Sequence, residues 1–397
     1  MALTAIRCKR IFDGYDWHEN AALLTEGGAA RGIVPADRIP GRAAVCSAAG
    51  SMIAPGFVDL QVNGGGGVLF NSDPSVATIR TICAAHRRFG TTSLLPTLIT
   101  DTRQATLAAL EAGTAAAREG VPGFAGIHLE GPHLSLARKG AHSAGLVRPM
   151  EDSDVEMLLA ARPRLPALMI TCAPESVTRE QVSKLSAAGV RVSLGHSDCS
   201  HATAIAYADA GARMVTHVFN AMSPLAHREP GLVGAALDCG SLSAGLICDG
   251  IHVDPVAIRV AVRAKAGPGR IFLVTDAMST IGTDLDSFEL NGRRVYRRDG
   301  RLTLENGTLA GADIDMAASV RFLHRQVGVQ LDTALAMASR HAAEALGIGD
   351  RKGRLTAGAD ADFVELDGEL AVLRTWHSGA IADGIGRTRL VRQIDSP

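Results

Sequence analysis

THVFNAMSPLAHREPGLVG (216–234) places an imidazole, a side-chain amide and a guanidinium (His217, Asn220 and Arg228) in one stretch, directly after the apolar run RMV. Three other stretches share its design: GIHLEGPH (126–133), SLGHSD (193–198) and LVTDAM (273–278). Each is an apolar, β-type run that ends in an imidazole or a carboxylate. Parallel strands that deliver polar groups at their C-terminal ends form the working face of a β/α barrel.

The rest of the chain keeps that beat. APGFVDLQVNG (54–64) is strand-like, and SVATIRTICAAHRRFG (75–90) is helix-like with Gly90 as its C-cap candidate. TTSLLPTLIT (91–100) is strand-like again, and DTRQATLAALEAGTAAAREG (101–120) reads as a helix opened by an Asp101 N-cap. FAGIHLEGP, ALMITCAPE, VRVSLGHSD, RMVTHVFNA, LSAGLICDG and IFLVTDAMS follow, with helical stretches between most of them. About eight such units favour a closed (β/α)8 barrel over an open sheet. FELNGRRVYRRDGRLTLENGTLAG (288–311) breaks the beat. Its NG, DG and NG pairs mark hairpin turns and an insertion on the barrel's catalytic face. Both ends are β-patterned, with AIRCKRIF, AALLTE and AARGIVPA at one and ADFVELD, AVLRTWHSG and TRLVRQI at the other. The expectation is one small β domain from residues 1–53 and 355–397, beside a barrel over 54–354.

Composition narrows the partners. Lys+Arg 40 against Asp+Glu 41 leaves a formal net charge of −1, so no global field draws the chain onto nucleic acid or an anionic membrane. Any anion recognition is therefore local. Aromatics at 4% argue against base-stacking surfaces. The 7 cysteines are widely spaced and form no CxxC pair, which reads as reduced thiols in a cytoplasm. The N-terminus lacks a signal-peptide apolar region, and no uncharged apolar run reaches about 18 residues.

Glu130, His196 and His217 are the metal-ligand candidates. Two neutral imidazoles and one carboxylate suit a borderline divalent ion such as zinc, with positions left open for water. Taken singly, each histidine is more often an ordinary hydrogen-bonded core or surface residue. Their shared place at strand ends favours a site. Asp276 is the candidate general acid/base, because water activated by a metal needs a nearby proton acceptor. Its other reading is a helix N-cap. Gln61-Val62-Asn63 stands where many barrel metallohydrolases carry His-x-His, and neither polar side chain is a good zinc ligand, which favours one ion over two. The glycines at 64–67 let the backbone turn beside the site. Arg228 offers a donor fork suited to phosphate, with a solvated surface arginine or an ion pair to Glu229 as its alternatives. Asn220 is also a turn former, and His252 also a plain loop histidine.

Together these motifs resemble the N-acetylglucosamine-6-phosphate deacetylases of the amidohydrolase superfamily. The resemblance rests on PGFVDLQVNGGGG, LLPTLIT, GIHLEGPHL, KGAHSAGLVRP, GHSD, THVFNAMSPLAHREPGLVGAALD, ICDGIHVDP, LVTDAM and NGTLAG. HLEGP with THxxNAM and REPGLxG is the specific combination. The resemblance implies a β/α barrel with a small β-sandwich built from both termini. It implies hydrolysis of N-acetylglucosamine 6-phosphate to glucosamine 6-phosphate and acetate. Glu130, His196 and His217 fall on the metal positions, for one divalent ion per subunit: zinc first, with iron, cobalt and manganese as the other candidates. Asp276 falls on the acid/base, and His142 on a contact near the acetamide carbonyl, beside Ala141. Asn220, Ala221 and Arg228, the run Asp249, Gly250, Ile251 and His252, and the run Leu309, Ala310 and Gly311 fall on substrate contacts. The resemblance further implies a homodimer or tetramer, with phosphate contacts near a subunit interface. His133 departs from it, standing where an aromatic is common.

Two other classes fit less well. A cyclic-amide hydrolase or deaminase on this barrel usually needs His-x-His on its first strand, which Gln61-Val62-Asn63 lacks. A non-catalytic barrel scaffold would not need Glu130, His196, His217 and Asp276 together.

Overall fold

The computed structural model describes residues 2–384. Eight parallel strands form one sheet in spatial order. They are β1 (Phe57–Val62), β2 (Thr91–Ile99), β3 (Ile127–Glu130), β4 (Leu168–Cys172), β5 (Arg191–Leu194), β6 (Met214–Val215), β7 (Ser243–Ile247) and β8 (Ile271–Val274). A parallel bridge between Val62 and Ala277 brings the first and last strands together, so the sheet curls into the expected barrel. β2, β3 and β4 are buried along their whole length, as strands walled by helices outside and side chains inside must be.

The helices between them start on their own caps. Ser75 accepts from the Thr78 amide, and Thr178 exchanges bonds with Gln181 in a capping box. Two sequence expectations shift by a residue or two. The N-cap of the helix Arg103–Arg118 is Thr102 rather than Asp101, because the Thr102 hydroxyl reaches the Ala105 amide. The helix Val76–Arg87 is capped at Arg88, and Gly90 lies beyond the cap, with φ +91° carrying the chain into β2.

Strands from both chain ends pair in a second eight-stranded sheet. Met52–Pro55 is the seam, parallel to Thr4–Phe12 and antiparallel to Phe363–Leu366. Period-two alternation lets the terminal strands bury both faces: Ile6, Cys8, Ala21 and Leu23 on one side, Leu3, Ala5, Ala22 and Leu24 on the other. The predicted strand TRLVRQI lies outside the described residues.

The 288–311 stretch is a four-stranded antiparallel sheet from Ser287 to Ala312, stacked on the C-terminal mouth of the barrel. Its first two turns have positive φ at both central residues, Asn291-Gly292 and Asp299-Gly300, which suits a two-residue hairpin. Leu290, Val295, Leu302 and Leu304 pack down onto Leu69, Ile99 and Met278 at the mouth. Its strand Arg293–Arg298 spans that mouth: the Arg293 guanidinium donates to the Ala141 carbonyl, and Gly300 approaches Ile251.

Candidate active site

Glu130 is the last residue of β3, and His196, His217 and Asp276 each lie two residues past the end of β5, β6 and β8. All three of the latter have left-handed backbone, with φ +48°, +28° and +52°. Non-glycine residues rarely adopt this conformation, and its recurrence at three strand ends turns the side chains inward at a cost in strain.

The side chains meet. His217 Nε2 and His196 Nε2 lie 3.0 and 3.2 Å from Glu130 Oε1, and 3.1 Å from each other. Two ring nitrogens that close can share at most one proton. Ligands held about 2.0–2.1 Å from one tetrahedral ion sit roughly 3.3 Å apart, so this trio fits a shared divalent cation. His196 Nδ1 faces the Arg138 carbonyl at 2.9 Å, which puts the ring proton there and leaves the Nε2 lone pair facing the cluster. Burial alone would raise the Glu130 carboxyl, but the His196 and His217 rings against it hold it well below the usual range. Burial lowers the His217 ring, and the Glu130 contact more than offsets that, so the net shift is upward.

His142 joins the cluster from the loop after β3, its Nε2 3.9 Å from Glu130 Oε2 and its ring 4.4 Å from that of His196. Glu130, His142 and His196 by themselves offer ligand atoms within 4.8 Å of one another. The Thr100 hydroxyl at 2.7 Å and the Thr100 amide at 3.3 Å both face His142 Nδ1, however; an amide N–H can only donate, and with Nδ1 as its acceptor the ring proton sits on Nε2. Burial pushes the ring down to about 3, so it is a neutral N–H donor facing the site. That favours His217 over His142 as the third ligand.

Gln61 and Asn63 have a part that sequence reasoning missed. Gln61 Nε2 donates one hydrogen to Glu130 Oε1 at 3.0 Å and the other to Asp276 Oδ1 at 3.1 Å. Asn63 Nδ2 donates to the same Oδ1 at 2.6 Å. The two amides thus tie the end of β1 to both carboxylates. The available signal was their period-two spacing at the end of β1, which sends both to one face. Burial pushes the Asp276 carboxyl up to about 6, and the Glu130 charge adds to the shift. Asp276 caps no helix; its backbone carbonyl accepts from the Ala312 amide of the insertion. Gly64 owes its identity to close approach, since an added Cβ would lie 2.4 Å from the Val68 carbonyl oxygen.

A cavity of about 230 Å³ opens over this cluster. Ala141, His142, Asn220, Ala221, His252, Leu309 and Gly311 line it, among the substrate residues expected from sequence. Asp249, Gly250, Ile251, Ala310 and Arg228 do not line it. Asp249 instead holds His252, with Oδ2 2.6 Å from His252 Nδ1 and Oδ1 accepting the amides of Ile251 and His252. Ala310 is fully buried in the packing of the insertion. Arg228 is exposed, and Glu229 accepts the amides of His201 and Gly231. Met278, Leu290 and Thr308 also line the cavity and were not foreseen. A larger cavity of about 450 Å³, lined by Arg88, Arg321 and Arg374, lies elsewhere and holds none of these groups.

A parallel barrel with a carboxylate, imidazoles and an acid gathered at the C-terminal ends of its strands defines a barrel hydrolase of the metal-dependent kind. The chain belongs to the amidohydrolase family, whose model matches residues 52–385. It is 43% identical to an N-acetylgalactosamine-6-phosphate deacetylase of Shewanella sp. (strain ANA-3), over 84% of this chain and 83% of that protein. It is 38% identical to an N-acetylglucosamine-6-phosphate deacetylase of Bos taurus over the same shares of each chain. The crystal structure of N-acetylglucosamine-6-phosphate deacetylase from Pasteurella multocida superposes with a TM-score of 0.91 at 34% identity, over 96% of this chain and 99% of that one. No helix among the described residues is long and apolar enough to cross a membrane, and the 7 cysteines are unpaired.

Proposed function

We propose that this chain hydrolyses the acetamide of N-acetyl-D-glucosamine 6-phosphate, giving D-glucosamine 6-phosphate and acetate. The observation that carries it is the convergence of Glu130, His196, His217 and Asp276 under a small cavity, together with deacetylases of phosphorylated amino sugars as relatives. Glu130, His196 and His217 would hold one divalent ion, zinc by ligand chemistry. When bound, such an ion supplies Lewis-acid polarisation of the scissile carbonyl and a more acidic water.

Asp276 is the proton carrier. Its Oδ1 is engaged by Asn63 and Gln61, which fixes the carboxylate and leaves Oδ2 for transfer. Asp276 accepts a proton as water oxygen bonds to the acetyl carbon, then returns it to nitrogen as the C–N bond breaks. His142 Nε2–H donates to the carbonyl oxygen as negative charge develops there. His252, oriented by Asp249, faces the phosphate, and Asn220 and the Leu309–Gly311 segment position the sugar. Arg228 stands on an exposed loop, which fits an oligomer in which the phosphate lies near a subunit boundary. Unpaired thiols fit a cytoplasmic setting.

The relative at 43% identity acts on the galacto epimer by its name, which favours a second reading in which C4 configuration is read loosely or reversed. Acetate release from both 6-phosphates, from unphosphorylated N-acetylglucosamine and from a cyclic imide tests both readings. Turnover confined to the phosphosugars is expected, and their ratio assigns the epimer. Turnover of the imide alone would reject both.

A further inference from the structure

Barrel interiors are ordinarily filled by branched apolar side chains. Here the layer directly beneath the site is polar. Thr97, His128, Thr171, Ser193 and Thr216 are each at most 2% exposed; the first four come from β2 to β5 in turn, and Thr216 directly follows β6. Ser193 Oγ lies 2.7 Å from Thr216 Oγ1, which lies 2.6 Å from Thr171 Oγ1. Thr171 Oγ1 lies 2.7 Å from His128 Nε2, and His128 Nδ1 lies 3.3 Å from Thr97 Oγ1. Leu95, Met169 and Met214, each two residues earlier on the same strand face, form one apolar cluster with Phe272. The interior therefore changes from apolar to polar one step below the ligands.

The hydrogens in this chain have one consistent direction. The Thr97 hydroxyl donates to the Leu95 carbonyl, so neutral His128 donates from Nδ1 to Thr97. Its Nε2 must then accept from Thr171, which accepts from Thr216, which accepts from Ser193. The chain also touches the site. His128 is two residues before Glu130 on β3, Thr171 pairs with Glu130 in register, and Thr216 precedes His217. An added Cβ at Gly195, next to His196, would meet Thr171 Cγ2 and Thr216 Cβ, both at 2.9 Å.

We propose that this hydroxyl–imidazole belt is the positioning layer of the metal site: its directional bonds fix the spacing of Glu130, His196 and His217. The proposal rests on reading those three residues as ligands. Its members touch neither substrate nor ion and act through the strands they join. Removal of a supporting partner beneath a metal ligand commonly costs about 10–100-fold in affinity.

The test is Zn²⁺ affinity by chelator competition in the intact protein, comparing Thr171→Val with Thr171→Ser. Valine keeps the shape but leaves His128 Nε2 without a donor; serine keeps the donor. Weakening of about 10–100-fold in Thr171→Val, with Thr171→Ser close to the unsubstituted protein, is expected. Equal affinity in all three, or equal weakening in both variants, overturns the belt. If Thr171→Val does not fold, Thr216→Val against Thr216→Ser repeats the comparison at the next hydroxyl with the same criteria. Absence of zinc binding by the unsubstituted protein would instead overturn the ligand reading beneath it.

Discussion

The Asn63 side-chain amide donates to Asp276 Oδ1 across 2.6 Å, from the end of the first barrel strand to the loop after the last. The bond closes the barrel at the chemistry. Asn63→Ala should lower kcat about 10- to 100-fold, the loss of one hydrogen bond to a charged group, and leave metal content unchanged. Steady-state kinetics with metal analysis checks this; an unaltered kcat would remove Asn63 from the account.

Gln61 divides its two hydrogens between Glu130 and Asp276. Gln61→His replaces that amide with a ligand-type ring. The variant should lose turnover, since both carboxylates lose a donor, and metal analysis should find it gaining capacity for a second ion. A single ion with full turnover would mean the amide has no such part.

Asp249 reaches no cavity wall, yet its Oδ2 lies 2.6 Å from His252 Nδ1. Asp249→Ala should release the ring and raise KM for the phosphorylated sugar about tenfold while kcat changes less. The unphosphorylated sugar should show no such KM change; an equal rise for both would place Asp249 outside phosphate recognition.

Much of this was legible in the sequence. Glu130, His196, His217 and Asp276 each follow an apolar run, so their shared barrel face could be inferred before any coordinates. The left-handed backbone at His196, His217 and Asp276 could not, because no glycine marks it. Gln61 and Asn63 escaped assignment for a related reason. Their partners are 69 and 213 residues away, and an amide donor has no sequence signature of its own. Asp249 reads as a substrate contact within DGIH, and only geometry turns it into a support for His252. The Asp101 expectation failed because Thr102, one residue on, caps equally well.

Burial pushes the Asp59 carboxyl up to about 7, while Thr275 and the Gln61 amide partly oppose the shift. Below about pH 4 Asp59 is protonated in both folded and unfolded chains and contributes nothing to pH dependence. Between about pH 4 and 7 the unfolded chain ionises first, so folding loses stability as pH rises, on the order of 4 kcal/mol in all. Asp59→Asn mimics the protonated acid and should flatten this slope. Denaturant melts of metal-free protein from pH 4 to 8 would show the variant overtaking the unsubstituted chain; parallel curves would contradict the shift.

The most direct test pairs metal stoichiometry with acetate release from N-acetylglucosamine 6-phosphate in Asp276→Asn. Asparagine keeps the shape beside Glu130 and the two histidines but cannot carry a proton. The account predicts about one ion per chain, as in the unsubstituted protein, with turnover reduced at least about a hundredfold. Near-normal acetate release from a fully loaded variant would contradict it.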